Sequence, residues 1–504
     1  MATIYCRFST KIAIFVVAMR RSGGNISERL SKMPMAVVLI PFAMGIFFAN
    51  EVAVPVWLLP TAGITSIVGV AMLEKWWRRI ALAVLIFAIG ATLHTFSYRE
   101  DIPYNQPLSM TLRIDHSSVE RKGYTSAEAK IESCELRRVE GERVVVWGDS
   151  LLQFRAGDRV RLTTPIRPFR AEREEYARLM HYRGFVGSVS LNHRATYSYI
   201  PTERLSLHDW AVERLRSAMK EGDARAVVVA MTTGERGEIR NEIRQAYSAS
   251  GTSHLLAVSG LHIGIAFILI NLLLAPLGLL RYGHIVRSVV AVVMIWLYVW
   301  LCGVSPSAVR SAIMFSMLQI SLSSLRDYSS INALAGTAFV MLLFDSNLLF
   351  DISFQLSFIA VGGIVLWALP LYLLCATRFK VANVVIGVIL VGLASTLATM
   401  PLVSNTFANI SLVGIAINPM VILLANIIVL SGLLALVFPP LALVAEWTAS
   451  LQNRVIEWAT ALPYGHFEFR LSTAWVWAIY LLFVAVTILI FSQSKAERVV
   501  KIEE

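Results

Sequence analysis

The chain has 504 residues, of which 56% are hydrophobic and only 16% charged. Soluble domains carry about 45–50% apolar and about 25% charged residues, so these proportions exclude a soluble globular protein and leave a polytopic membrane protein. The net charge of +11 is what the positive-inside rule gives cytoplasmic loops, and by itself it does not indicate nucleic acid.

In chain order, residues 1–32 read as a basic cytoplasmic N-terminal tail carrying Arg20, Arg21, Arg29 and Lys32. Residues 33–97 hold three apolar segments, near 35–50, 54–73 and 80–97, with the basic "EKWWRR" suited to a cytoplasmic interface. Three crossings from the inside put residues 98–205 outside. Charges become dense there, and "LSMTLRI", "TSAEAKIE", "RVVVW", "DRVRLT" and "GFVGSVSL" alternate with period two. That pattern predicts an extracytoplasmic β domain, an OB-like barrel or failing that a sandwich. "RPFRAEREEYARLMHYRG" inside it predicts a basic and aromatic helix.

Residues 206–250 read as an amphipathic helical linker, 251–492 as a membrane channel domain and 493–504 as a charged tail. Spans are expected near 253–278, 285–302, 308–324, 331–344, 352–376, 381–403, 410–437 and 473–492. The stretch 440–464 either spans or lies in the interface, and Asn418-Pro419 permits a break in the preceding span. The fold class expected is a polytopic α-helical membrane protein of about 10–12 spans with an inserted OB-like β domain. Arg281, Arg287, Arg326, Arg378 and Lys380 fall in loops this register puts inside.

Polar residues within spans mark function, because hydrocarbon tolerates them only with partners or a wet cavity. "GTSHLLAVSGLHIGI" carries Ser253, His254, Ser259 and His262, read as a helix bordering an aqueous path or as hydrogen bonds between packed helices. It lacks G-x-S-x-G, and His254 and His262 stand about 80° apart round a helix, so they cannot share a metal ion. "CGVSPSAVRSAIMFS" contributes Arg310 about one turn into a span. "LLFDSNLLFDISFQLSF" contributes Asp351, as a partner for Arg310 or as a helix N-cap, with Gln355 on the same face and Ser357 beyond. No metal, cofactor or catalytic group is expected: the four cysteines (6, 134, 302, 375) have no metal spacing, and no lysine follows a glycine as a Walker A sequence requires.

"SASGTSHLLAVSGLHIGI", "SPSAVRSAIM", "DISFQLSF" and "INPM", in this order, closely resemble the ComEC competence family of DNA-uptake channels. The "HYRGFVGSV" region is similar to that family's outer OB-type domain, and the resemblance runs from about Met33 to Phe491. It implies transport of single-stranded DNA across the cytoplasmic membrane, not enzymatic activity. The H-x-H-x-D-H signature of the family's metallo-β-lactamase-like domain is absent from these 504 residues, so a short form is expected. Expected partners are single-stranded DNA, membrane lipid, a separate DNA receptor, a cytoplasmic motor or single-strand-binding protein, and a separate nuclease. DNA-contact candidates are Arg155, Arg159, Arg161, Arg167, Arg170, Arg173, Tyr176, Arg178, Tyr182 and Arg183, a mixture of cations and stacking faces that strand-binding grooves use. Residues 98–222 hold 21 basic and 18 acidic side chains, so any groove comes from placement and not from bulk charge. A transporter for a smaller anionic solute and an intramembrane hydrolase using Ser259 and His262 are the alternatives.

Overall fold

The computed structural model describes residues 34–487 apart from 53–57, 73, 98–101, 116–118, 122–123, 150–153, 155–156, 170–173, 192–196, 202–205, 324–329, 369–370, 373–374 and 463–465. Both predicted tails, and Arg155, Arg170 and Arg173, lie outside the described residues.

The N-terminal helices are α1 (Pro34–Glu51), α2 (Leu58–Met72) and α3 (Lys75–Ser97). Glycines set the contact between α1 and α3. A Cβ on Gly45 would lie 2.1 Å from the Phe87 carbonyl oxygen, and one on Gly90 would lie 2.3 Å from that of Phe42. Small residues allow this backbone approach where no hydrophobic force drives helices together.

A seven-stranded sheet follows, built from β1 (Pro107–Ile114), β2 (Val119–Arg121), β3 (Tyr124–Cys134), β4 (Arg143–Asp149), β5 (Arg159–Pro165), β6 (Phe185–Leu191) and β7 (Tyr197–Ile200). Its order is β6-β4-β3-β1-β5-β7, with β2 on β3; all pairs are antiparallel except β4 with β6. Alternation does the sorting: Leu108, Met110, Leu112 and Ile114 of β1 point to one core with Ala129, Ile131, Val144, Val146, Val160, Leu162 and Val189. Helix α4 (Glu174–Tyr182) covers a second small cluster of Val145, Met180 and Phe185. The ladder does not close into the expected barrel. One isolated bridge, Arg167 to Ser188, is what joins the β5 side to β6.

Helices α5 (Leu207–Ala218), α6 (Asp223–Thr233) and α7 (Asn241–Ala249) lead back toward the membrane part. A reciprocal cap starts α5: Ser206 Oγ accepts from the Asp209 N–H at 3.1 Å, and Asp209 accepts from the Ser206 N–H at 3.0 Å. Residues Ala226 to Thr233 of α6 are all buried, so this helix is part of the core.

The membrane part comprises α8 (Gly260–Leu273), α9 (Gly283–Leu301), α10 (Pro306–Ser323), α11 (Ser330–Phe344), α12 (Ile352–Gly363, continued by a π turn to Ala368), α13 (Lys380–Phe407), α14 (Leu412–Ala435), α15 (Ala442–Thr460) and α16 (Thr473–Thr487). A short antiparallel pair joins β8 (Asn409–Ser411) to β9 (His466–Glu468) across α14 and α15. Among the described residues five helices are long and apolar enough to cross a membrane: Pro34–Glu51, Trp76–Phe96, Gly283–Leu301, Val385–Phe407 and Ala416–Ala435. Exposed apolar side chains such as Val293, Trp296 and Leu297 on α9 and Ile389 and Leu397 on α13 suit a lipid-facing surface. Helix α14 runs unbroken through Pro419, so the break permitted by Asn418-Pro419 does not occur. Helix α15 buries Ala445, Ala449, Gln452 and Ile456 and exposes Trp447 and Trp458.

Candidate functional site

An open cavity of about 3980 Å³ runs between the β domain and the membrane helices. It begins under the β sheet, at Arg113, Glu128, Arg143 and Arg183. It passes Ser253 to Leu261, Ser307, Arg310 and Asp351, then follows the helices to their far ends, at Asn271, Arg287, Ser330 and Asn383. Helix α8 alone contributes lining from both ends of its 14 residues, about 21 Å at 1.5 Å per residue.

Several polar atoms around this space have no partner. Ser259 Oγ, Arg310 Nε and Nη1, Asn418 Oδ1 and Asn426 Oδ1 are buried without a hydrogen bond, and all four residues line the cavity. An unsatisfied polar group in a dry membrane interior costs several kcal/mol. Such groups call for water or ligand beside them.

The opening of α8 differs from the expected continuous helix. Gly251 takes φ +73°, Ser253–Leu256 forms a 3-10 turn, and the α-helix begins only after Ser259. Ser253 and His254 therefore precede α8, are exposed, and line the cavity from a loop. His262 is fully buried and does not line it. Its Nδ1 accepts from the Ser259 N–H at 3.3 Å, so the proton of the neutral ring sits on Nε2. His262 thus holds the backbone of Ser259 and not its hydroxyl, so these two side chains are not hydrogen-bonded to each other as a serine–histidine nucleophile pair would be.

Arg310 is 3% exposed and makes no ion pair with a described residue. Asp351 is the N-cap of α12, with Oδ1 accepting from the Phe354 N–H at 2.8 Å. The cap reading of Asp351 therefore holds and the ion-pair reading does not. Gln355 donates to the Leu349 carbonyl at 2.9 Å and lies off the cavity wall, whereas Ser357 lines it.

Of the β-domain candidates, Arg159, Tyr176, Tyr182 and Arg183 line the cavity and Arg161, Arg167 and Arg178 do not. Arg159 is held by Glu132 through bonds of 2.6 and 2.7 Å, and this pairing holds the Glu132 carboxyl below its usual range. Tyr182 stacks on Phe350 with centroids 5.0 Å apart, so its ring docks the β domain onto the membrane part. The sequence reading missed Arg143 and Arg236 and the far-end residues Asn271 and Arg287. Arg143 and Arg183 flank the Phe185 ring at 4.5 and 5.4 Å and share Glu128 at 3.2 and 2.9 Å. Arg236 lines the same vestibule within the field of Arg244, Glu128 and Arg183. "GERGEIRNEIRQ" carried that signal, but as part of a presumed linker. At the far end Arg287 Nη2 donates to the Asn271 carbonyl and Oδ1, both at 3.1 Å, and Asn271 donates to Gln319 at 3.1 Å.

His208, also on the cavity wall, bonds the Leu301 carbonyl through Nδ1 at 2.8 Å and faces Glu235 at 3.8 Å. Burial lowers its pKa, but Glu235 and the carbonyl outweigh that and raise it overall. Among the described residues no group of three His, Cys, Asp or Glu side chains could hold a metal ion.

A family profile described as "Competence protein" matches residues 231–495. The chain is 30% identical to ComE operon protein 3 of Bacillus subtilis over 42% of this chain and 26% of that protein. It is 26% identical to an uncharacterized protein of Aquifex aeolicus, over 51% of this chain and 59% of that one. It is 27% identical to uncharacterized protein YcaI of Escherichia coli, over 46% and 31% respectively. The matched segments thus span less than two thirds of each of these relatives. No solved structure matches the chain.

Proposed function

Because this chain belongs to the ComEC-type competence family, we propose that it is a multi-pass cytoplasmic-membrane channel that passes single-stranded DNA into the cell during natural transformation. The observation that carries this reading is the cavity, whose lining runs from the β sheet to the far ends of the membrane helices. A DNA strand needs a hydrated route with cations spaced along it and polar groups that can exchange partners. Arg143, Arg183 and Arg236 at the mouth, Arg310 within and Arg287 at the far end supply the cations. The unpartnered Ser259, Asn418 and Asn426 supply exchangeable polar groups.

In this reading the β domain is extracytoplasmic and receives the strand, the helices make about 10–12 crossings, and the N-terminus lies inside. The strand order, the parallel β4–β6 pair and the Arg167–Ser188 bridge support an OB-like domain opened at one seam. The chain acts as a conduit and not as an enzyme. Each phosphate moved against an inside-negative potential costs about 2.3 kcal/mol per 100 mV, so a cytoplasmic motor or strand-binding protein pulls the DNA. A separate receptor delivers it. The test is delivery of labelled DNA to the cytoplasm with and without the chain. Loss of delivery, with DNA still held at the cell surface, is expected; unchanged delivery would overturn the reading.

A further inference from the structure

We propose that Glu128 is a built-in competitor for strand phosphates: its carboxylate occupies the anion place between Arg143 and Arg183 and so holds strand affinity low enough for passage. This rests on the conduit reading and adds the residue that sets how tightly the vestibule grips.

The placement follows from the strands. Along β3, Ala127, Ala129 and Ile131 point into the main core of the β domain, so Glu128 points to the other face of the sheet. It stands opposite Val145 of β4, one diagonal step from Arg143. Arg143 is in turn opposite Phe185 of β6, and Arg183 comes two residues before that phenylalanine. Phe185 is buried, and the two guanidiniums lie against its ring at 4.5 and 5.4 Å. Both reach one carboxylate: Arg143 Nη2 donates to Glu128 Oε2 at 3.2 Å, and Arg183 Nη2 donates to Oε1 at 2.9 Å.

Three features make this an exchangeable anion place. It is open: the side chains of Arg143, Arg183 and Glu128 are 34%, 40% and 27% exposed, and all three line the cavity. Ion pairs in contact with water are weak, so the carboxylate gives way to another anion at little cost. The cations also stay in place when it leaves, because the fixed ring of Phe185 holds both and the Arg183 carbonyl accepts from Arg143 Nη1 at 3.4 Å. Finally, charge is left over. Asp115 faces Arg143 at 3.8 Å but is shared with Arg113 at 3.6 Å, so three guanidiniums meet two carboxylates.

A strand phosphodiester carries the same single charge as a carboxylate and takes the same arginine donors. On entering it replaces Glu128 and gains only the difference between the two anions. A conduit needs that balance, with binding favourable enough to admit the strand and weak enough to release it.

The test measures binding of a labelled oligothymidylate to the full chain in detergent as a function of chloride. Removing the carboxylate charge frees one more cationic charge for the strand, so Glu128→Gln should steepen the salt slope by about 0.7. With the two chains equal at about 1 M salt, that slope makes Glu128→Gln about eightfold tighter at about 50 mM. Glu128→Asp keeps the charge and should keep the native slope. Glu213→Gln, an equal charge change on an exposed side chain off the cavity, should leave binding unchanged. In a chain already carrying Arg143→Gln and Arg183→Gln, Glu128→Gln should add nothing. A salt bridge with only a structural role would lose binding on substitution and not gain it. Equal or weaker low-salt binding by folded Glu128→Gln, or an undiminished gain without the two arginines, sinks the proposal. If Glu128→Gln does not fold, Glu128→Ala is judged by the same two outcomes. DNA delivery separates the two ideas. Tighter binding by Glu128→Gln, with delivery unaffected by removal of the native chain, defeats the conduit and spares the role of Glu128. Delivery that depends on the chain, with binding unchanged in Glu128→Gln, defeats that role alone.

Discussion

Two glycines separate packing from passage. Gly363, at the end of α12, is in tight contact with α13: a Cβ there would lie 2.5 Å from Ala398 Cβ and 3.0 Å from the Ala394 carbonyl oxygen. Gly363→Ala therefore overpacks that contact and should cost about 1–3 kcal/mol. Gly392, on α13, lines the cavity and has nothing within 4 Å of its Cβ position. A side chain there enters empty space, and leaving glycine regains up to about 1 kcal/mol of helix propensity. An indole is a fused two-ring system like a purine, so Gly392→Trp occupies the space a base would use. We expect Gly392→Trp to retain the unfolding temperature and to cut DNA delivery at least tenfold, about 1.4 kcal/mol on the barrier. Gly363→Ala should show the reverse, with a lower unfolding temperature and nearly normal delivery per folded molecule. Full delivery by a normally folded Gly392→Trp variant would refute the assignment of this cavity as the path.

Other outcomes follow from single interactions. Tyr247 is 1% exposed, donates to Asn453 Oδ1 at 2.8 Å and accepts from Gln452 at 3.0 Å. Tyr247→Phe leaves both amides short of a partner and should cost about 1–3 kcal/mol in denaturation, with no effect on delivery by the folded fraction. The raised pKa of His208 means that the folded state holds its proton more tightly. Its stabilisation is complete below the unfolded value of about 6.5 and is lost as pH rises through the folded value. Unfolding temperature should fall across that window in the native chain and stay flatter in His208→Gln. Replacing Arg143 and Arg183 together by glutamine should weaken single-strand binding by the full chain at low salt. It should also reduce the salt slope by about 0.7 for each phosphate that is no longer neutralised; an unchanged slope would remove both arginines from the path.

The β domain was legible because period-two burial is written directly in "LSMTLRI" and "FVGSVSL": Leu108, Met110 and Leu112 alternate, as do Phe185, Gly187 and Val189. Closure of the sheet was not legible, since it depends on pairing between distant segments, and here a single bridge at Arg167 makes the link. The membrane site was readable in kind, though less so in position. Ser253 and His254 look helical by composition, but Gly251 in the left-handed region turns the chain and delays α8 to Ser259. Aspartate before a helix suits either a cap or an ion pair, and only the 2.8 Å bond to the Phe354 N–H decides for the cap. Tyr182 looked like a stacking platform for bases, yet Phe350, 168 positions later in the chain, takes its face. Arg143 and Arg236 face one vestibule only because the fold brings Glu128 and Arg183 of the β domain near the segment before α7, a juxtaposition no local pattern carries.

The central claim, a wet and continuous bore, is tested most directly by thiol labelling. Single cysteines at Ser357, Ser395 and Thr399, in a chain whose own cysteines are replaced, should react with a charged, membrane-impermeant thiol reagent and be protected by a strand stalled in transit. A cysteine at Leu397, 42% exposed and away from the cavity, should not react when the chain is in a bilayer. Equal silence at all four positions would mean that the cavity is closed to water, and would contradict the account.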